Sequence, residues 1–225
     1  MSDDRRYQRL RMQLVDELRR KGIHDQRVLA AIAAVPRHLF VEPALRSRAY
    51  EDEALPIGLR QTISQPFTVA YQTMMLDLRP GDRVLEVGTG SGYQAAVLCE
   101  MGARVFSLER HKPLLDRTKQ LLEDLGYRVV TRHGDGTLGW PTFAPYDAII
   151  VTAGASEVPQ PLMEQLRIPD DQTPGGRLVI PIGDARSQIM NRITRVGPND
   201  YEREETHGFR FVPLIGEGGG GMMDG

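Results

Sequence analysis

The sequence predicts an α/β protein built on a doubly wound, mostly parallel sheet, with a helical cap ahead of the sheet and an antiparallel part at its C-terminal end. Three observations predict it. Strand-like and helix-like stretches alternate from residue 83 onward, a glycine turn separates the first such strand from the first such helix, and acidic residues fall at the ends of three successive strands. In an open α/β sheet those strand ends are where ligands bind.

Taken in order, Tyr7, Leu10, Leu14, Val15 and Leu18 recur at helical spacing and Gly22 marks a stop. Asp25 then caps a second helix over 28–35, ended by Pro36. The first helix carries six arginines and Lys21, but Asp16 and Glu17 break the run, so it reads as a solvated face rather than a nucleic-acid arm. Residues 54–66 are punctuated by Pro and Gly and are too aperiodic for a helix, which predicts a lid over the ligand. Alternatively, Pro66 simply opens a helix there. The βαβ series comes next: strand 83–87, helix 92–101, strand 104–108, helix 113–125, strand 128–132 and strand 147–152. Three further strands are expected at 177–182, 190–196 and 209–214, separated by Gly/Pro-rich turns that allow antiparallel pairing. The organisation is one domain over 1–215, with helices and lid in 1–80 and the sheet core in 81–215, and a flexible glycine-rich tail over 216–225.

Composition narrows the partners. The 225 residues suit one well-filled core, and a net charge of -2 with 26% charged residues gives no electrostatic footprint for nucleic acid or an anionic membrane. No apolar run approaches the ~18 residues that cross a bilayer, and the first residues are charged rather than signal-like, so a cytoplasmic protein is expected. The single cysteine, Cys99, lies in an apolar helical stretch and reads as an inert core thiol. The five histidines show no paired ligand spacing and have no cysteine partners, so no metal site is expected.

The chemistry concentrates around Glu86-Val87-Gly88-Thr89-Gly90-Ser91-Gly92-Tyr93. A strand-to-helix turn with Gly88 and Gly90 brings backbone N–H groups to a ligand. Dinucleotide enzymes use such a turn too, but they need a third glycine for close helix packing where this chain has Tyr93. Glu86 would repel a pyrophosphate and attract an ammonium or sulfonium group, which points to S-adenosylmethionine. Glu109, about twenty residues beyond the turn, is placed to take ribose hydroxyls, against the alternative of an ion pair with Arg110 or Lys112. Asp135, beside Gly136 in His133-Gly134-Asp135-Gly136, is placed to approach an adenine amino group, against the alternative of an ordinary Asp-Gly turn. Asp147 begins its strand, at the end away from ligands, and reads as structural.

The loop after the fourth strand narrows the acceptor class. Thr152-Ala153-Gly154-Ala155 lacks the Asn/Asp-Pro-Pro-aromatic cluster that an exocyclic amine acceptor favours, and no cysteine is placed for covalent cytosine methylation. An acceptor that is already a carboxylate anion needs no strong general base near neutral pH. A nicotinamide-dependent oxidoreductase is disfavoured by Glu86, Tyr93 and the absence of a Tyr-x-x-x-Lys pair. A protein that binds the cofactor without turnover is disfavoured by the intact lid.

In the order Val35-Pro36-Arg37, Ala54-Leu55-Pro56-Ile57-Gly58, Gln61-Thr62-Ile63-Ser64-Gln65-Pro66, the glycine turn, His133-Gly134-Asp135-Gly136 and Phe211-Val212-Pro213-Leu214, the chain resembles the protein-L-isoaspartate O-methyltransferase family from about residue 8 to 215. The resemblance implies a Rossmann-like methyltransferase sheet and S-adenosylmethionine-dependent methylation of the free α-carboxylate of L-isoaspartyl residues in damaged peptides, which starts repair through a succinimide. It further implies Ser64 as the active-site hydroxyl, with Ile63 and Gln65 enclosing the amino-acid end of the cofactor. Leu55, Pro56, Ile57, Gly58 and Val212 are implied to line a peptide cleft. Ser64 is expected to position the acceptor rather than attack it, because no Gly-x-Ser-x-Gly elbow surrounds it and no histidine is adjacent to serve as its base. A monomer acting on isoaspartyl proteins is expected. The connection over 167–173 and the glycine-rich tail depart from the family pattern.

Overall fold

The computed structural model describes residues 5–184, 187–209 and 211–217. Two helices open the chain, α1 (Arg5–Arg20) and α2 (Gln26–Ala34). Gly22, at φ +100°, turns the chain out of α1, and Asp25 caps α2 by accepting the Arg27 amide at 2.8 Å. Leu14, Val15 and Leu18 form the buried stripe of α1, as their spacing predicts. Two 3-10 segments, Arg37–Leu39 and Pro43–Arg48, lead to a two-stranded antiparallel hairpin, β1 (Leu55–Gly58) and β2 (Gln61–Ile63). Helix α3 (Pro66–Leu76) comes next, with its proline in the first turn, where the missing N–H costs nothing. The segment expected as an aperiodic lid is thus a hairpin leading into a helix start. Its turn residues Leu59 and Arg60 both sit at positive φ, without the Asn-Gly pair that announces such a turn in a sequence.

The main sheet has seven strands: β3 (Arg83–Val87), β4 (Arg104–Glu109), β5 (Val129–His133), β6 (Ala148–Val151), β7 (Arg177–Gly183), β8 (Gln188–Arg195) and β9 (Tyr201–Phe209). Their spatial order is β5-β4-β3-β6-β7-β8-β9. The strands from β5 to β7 run parallel, and β8 and β9 add antiparallel neighbours. Helices α4 (Tyr93–Glu100), α5 (Lys112–Asp124) and the short α6 (Gln160–Glu164) lie in the connections. Strand order reverses between β3 and β6, and the crevice at that reversal is where open sheets of this kind take ligands.

Both faces of the central strands are buried. Val84, Val105, Ala148, Ile150 and Val179 join α1–α4 in one core, whereas Leu85, Val87, Phe106, Ile149 and Leu178 join Trp140 and Tyr146 in the other. Such strands read as near-continuous apolar runs, and each fully buried Val or Leu contributes about 1.5–3 kcal/mol. Asp147, just ahead of β6, accepts the Arg83 amide at 2.8 Å and pairs with Arg167 at 2.6 Å, tying two strand starts together far from the crevice.

One expected strand lies elsewhere. The last strand is Tyr201–Phe209, not 209–214, and 211–214 instead runs back to the sheet, where the Gly154 and Val212 backbones meet at 2.7 Å. Charged residues occupy both faces of this edge strand at Glu202, Arg203, Glu204 and Glu205, so no period-2 apolar pattern marked it. Of the expected flexible tail, Gly216 and Glu217 are ordered against Asp135; 218–225 lie outside the described residues. Among the described residues, no helix is long and apolar enough to cross a membrane.

Candidate active site

Three glycines at positive φ shape the turn after β3: Gly88 at +100°, Gly90 at +53° and Gly92 at +86°. The Gly88 and Thr89 amides are anchored to the Leu108 carbonyl at 2.8 and 3.1 Å, so the turn leans on β4. A side chain at Gly88 would fall on the Thr152 hydroxyl, and one at Gly92 would come within 2.7 Å of the Thr118 methyl group. The backbone is therefore bare towards the crevice by steric necessity as well as by conformation. Cβ-less Gly136, whose side-chain position is taken by Val87, gives the third loop the same close approach.

The three acids at the strand ends have three different roles. Glu109, at the end of β4, is buried and lines the crevice. Its Oε2 accepts the Gly90 amide at 2.9 Å and its Oε1 the His111 amide at 2.8 Å, so it is no surface ion pair. Glu86 departs from its expected place. It lies beneath the turn, wholly buried, and does not line the crevice. It accepts from the Ser107 hydroxyl, which in turn meets the Thr89 hydroxyl at 2.6 Å. Burial pushes its carboxyl up to about 8 in spite of the Ser107 hydrogen bond, so near neutral pH it holds a proton and offers no charge to a cation. The reason is directional: along β3 Glu86 alternates onto the face of Val84, which packs against α1–α4.

Asp135 also turns away from the main crevice. Its Oδ1 accepts the Thr137 amide at 2.9 Å and the Thr137 hydroxyl at 2.8 Å, and its Oδ2 takes the Glu217 amide at 2.6 Å. Burial opposes its ionisation, but these donors outweigh burial and hold the carboxyl below its ordinary value. It faces a separate, shallower cavity shared with Arg110 and His133, while its neighbour Gly136 lines the main crevice.

Two cavities meet at Ser64. The first is the crevice bounded by Gly88, Gly90, Glu109 and Gly136. The second is lined by Ala54, Gln65, Phe67, Phe209 and Phe211. Thr62, Ser64, Thr152 and Val212 belong to both and form the wall between them. Ile63 lines the first cavity only. Gln65 does not: it lines the second, and its side-chain amide donates to Asp52 at 3.1 Å.

Nor do Leu55, Pro56, Ile57 and Gly58 line the second cavity. Leu55 and Ile57 point inward from β1 into the core, while Pro56 and Gly58 are exposed. Ile57 instead covers the glycine turn, its Cδ1 lying 3.7 Å from where a Gly90 Cβ would stand. Strand alternation, invisible while the segment was read as aperiodic, is the reason. Residues missed in the sequence are Thr62, Thr152 and the aromatic set Phe67, Phe209 and Phe211, which are brought together from distant segments. Among the described residues, no group of three or more His, Cys, Asp or Glu side chains could hold a metal. Burial pushes the Cys99 thiol up to about 12, consistent with an unreactive group.

The bare glycine backbone, the Glu109 carboxylate and the Gly136 loop fit a nucleoside-bearing cofactor that approaches main chain closely, and related proteins point the same way. The profile of the family described as Protein-L-isoaspartate(D-aspartate) O-methyltransferase (PCMT) matches residues 9–219. A protein-L-isoaspartate O-methyltransferase of Salinibacter ruber is 66% identical over 224 residues, covering 98% of this chain and 97% of the relative. One of Cytophaga hutchinsonii is 51% identical, covering 97% and 96%. A solved protein-L-isoaspartate O-methyltransferase superposes with a TM-score of 0.80 at 32% identity, covering 93% of this chain and 67% of that one. A solved Plasmodium falciparum protein in complex with S-adenosyl-L-homocysteine gives 0.76 at 26% identity, covering 91% and 98%. Sequence match from end to end and a shared sheet leave one conclusion: this chain belongs to the protein-L-isoaspartate(D-aspartate) O-methyltransferase family.

Proposed function

We propose that this enzyme methylates the free α-carboxylate of L-isoaspartyl residues in damaged proteins, using S-adenosylmethionine, and so starts their repair through a succinimide. The observation that carries the reading is the shared wall: the crevice at the glycine turn and a second cleft have Ser64 and Thr152 in common. Methyl transfer is an in-line displacement, so donor and acceptor must be held on one axis with water kept out.

When bound, S-adenosylmethionine supplies a methyl group on a positively charged sulfur. The bare glycine backbone of the Gly88–Gly90 turn, whose amides are already held by Leu108 and Glu109, lets its adenosyl part lie against main chain beside the Glu109 carboxylate, with Gly136 allowing the same close approach and Ile63 closing the amino-acid end. Glu86 serves from beneath, through Ser107 and Thr89, by fixing the turn. On the acceptor side, Ser64 donates its hydroxyl proton as a hydrogen bond to the carboxylate and aims one oxygen at the crevice, with Thr152 and Val212 completing the aperture. No residue needs to remove a proton, because the acceptor is already ionised. Phe67, Phe209 and Phe211 give the peptide an apolar wall. The charge balance favours protein substrates over nucleic acid or a membrane surface, and a single cysteine, which allows no internal disulfide, accords with a cytoplasmic enzyme.

Paired peptides differing only in an isoaspartyl or a normal aspartyl linkage test the reading. Labelled methyl groups are expected on the isoaspartyl peptide and not on its partner; equal labelling of both, or of neither, overturns it.

A further inference from the structure

A guanidinium that makes no direct ion pair among the described residues stands behind the acceptor loop, with Asp52 as the nearby carboxylate that its charge feels. Arg37 is wholly buried, and the Asp52 carboxylate that acts on it at longer range is itself taken by Lys21 at 2.6 Å. Its Nε donates to the Ala49 carbonyl and its Nη2 to the Ser64 carbonyl, both at 2.8 Å, with the Glu53 carbonyl at 3.5 Å; Nη1 has no partner. The cation lies 4.7 Å above the ring of Tyr93. Tyr93 is the first residue of α4, directly after the glycine turn.

Burying a charge whose direct partners are carbonyls is costly, as the lowered pKa of the Arg37 guanidinium reflects, and an apolar residue of the same volume would serve packing as well or better. What an apolar residue cannot supply is a rigid planar fork that grips two separate segments while lying flat on an aromatic face. Ser64 sits between β2 and α3, outside the regular hydrogen bonding of either, so its carbonyl has no ladder to hold it. Arg37 joins that carbonyl to the helix that begins where the cofactor turn ends.

Resting on the proposed methyl transfer, we infer that Arg37 is a positioning residue for that reaction: it locks the Ser64 backbone to the start of α4, so that the serine hydroxyl is aimed at the acceptor in register with the glycine turn. A misplacement of about 1 Å in a reacting geometry can cost on the order of 100-fold in rate.

The test is a double-mutant cycle on the full chain, with kcat for the isoaspartyl peptide, affinity for S-adenosylhomocysteine and Tm all measured. Arg37→Lys and Arg37→Met are expected to lower kcat on the order of tenfold or more, with cofactor affinity changed less than about threefold. Lysine, which keeps the charge but not the fork, should rescue little. In the Ser64→Ala background the same substitutions should cost less than about twofold, because there is no hydroxyl left to aim. Additive losses in that background, or losses that follow cofactor affinity alone, overturn the inference. Failure of both variants to fold overturns it too, since the guanidinium would then be a requirement of the fold. A wild-type chain that does not label the isoaspartyl peptide would instead sink the functional reading.

Discussion

Glu109 closes the glycine turn from the neighbouring strand, its Oε2 taking the Gly90 amide at 2.9 Å. The same carboxylate faces the crevice, so it both shapes the cofactor site and lines it. Hydrogen bonds to a charged group are worth about 1.5–3 kcal/mol each. Glu109→Ala is expected to weaken S-adenosylhomocysteine binding by about 10- to 100-fold in calorimetry, with a smaller effect on kcat at saturating cofactor. Unchanged affinity would remove Glu109 from the site.

Ser64, at the β2–α3 junction, lines both cavities, as does Thr62 two residues before it. Ser64→Ala should reduce turnover by about 100-fold, the scale of losing one donor at a reacting oxygen, and leave calorimetric cofactor binding within about twofold. Full turnover in the variant refutes its role.

Glu86 makes the protein's stability depend on pH. Burial raises its folded-state value from an ordinary 4.5 to about 8, so between those limits the folded protein keeps a proton that the unfolded chain has released. That contribution is fully present below about 4.5 and is lost as pH rises towards 8. Glu86→Gln, which still accepts from Ser107, should therefore gain stability relative to the wild type across about pH 5–8 and level off above it, by up to about tenfold in the folding equilibrium per pH unit. Urea denaturation at several pH values measures this; a pH-independent difference between the two proteins contradicts it.

Gly88 is held at φ +100° with its missing side chain replaced by the Thr152 hydroxyl. Gly88→Ala is expected to lose about 1–3 kcal/mol of stability from strain and overpacking, and to weaken the cofactor as the turn shifts. Thermal unfolding with and without S-adenosylhomocysteine separates the two effects; an unchanged Tm in both conditions would mean that the turn yields freely.

The parallel core was legible because its strands are buried on both faces and its helices begin and end on residues with local preferences. Asp25 caps α2 and Gly22 ends α1 by short-range physics alone, and the strand Arg83–Val87 is apolar but for its first residue and Glu86. The edge of the sheet was not legible. Strand Tyr201–Phe209 is solvated and charged, and its place is set by pairing with β8 rather than by its own composition. The β1–β2 hairpin was hidden for a related reason: Leu59 and Arg60, both exposed, adopt positive φ because the two-residue turn between paired Gly58 and Gln61 demands it, not because their side chains favour it.

By itself the sequence determined which segments become strands and helices in the core, where the chain must turn on glycine, and that acids stand at three neighbouring strand tips. Tertiary structure alone decided what those acids do. Glu109 faces the crevice, Glu86 is driven into the interior and holds its proton, and Asp135 is spent on Thr137 and Glu217. It also decided that Arg37 stands behind Ser64. The reason is physical: backbone preference is local and can be read along the chain, whereas a side chain's charge and direction depend on neighbours that only folding brings near.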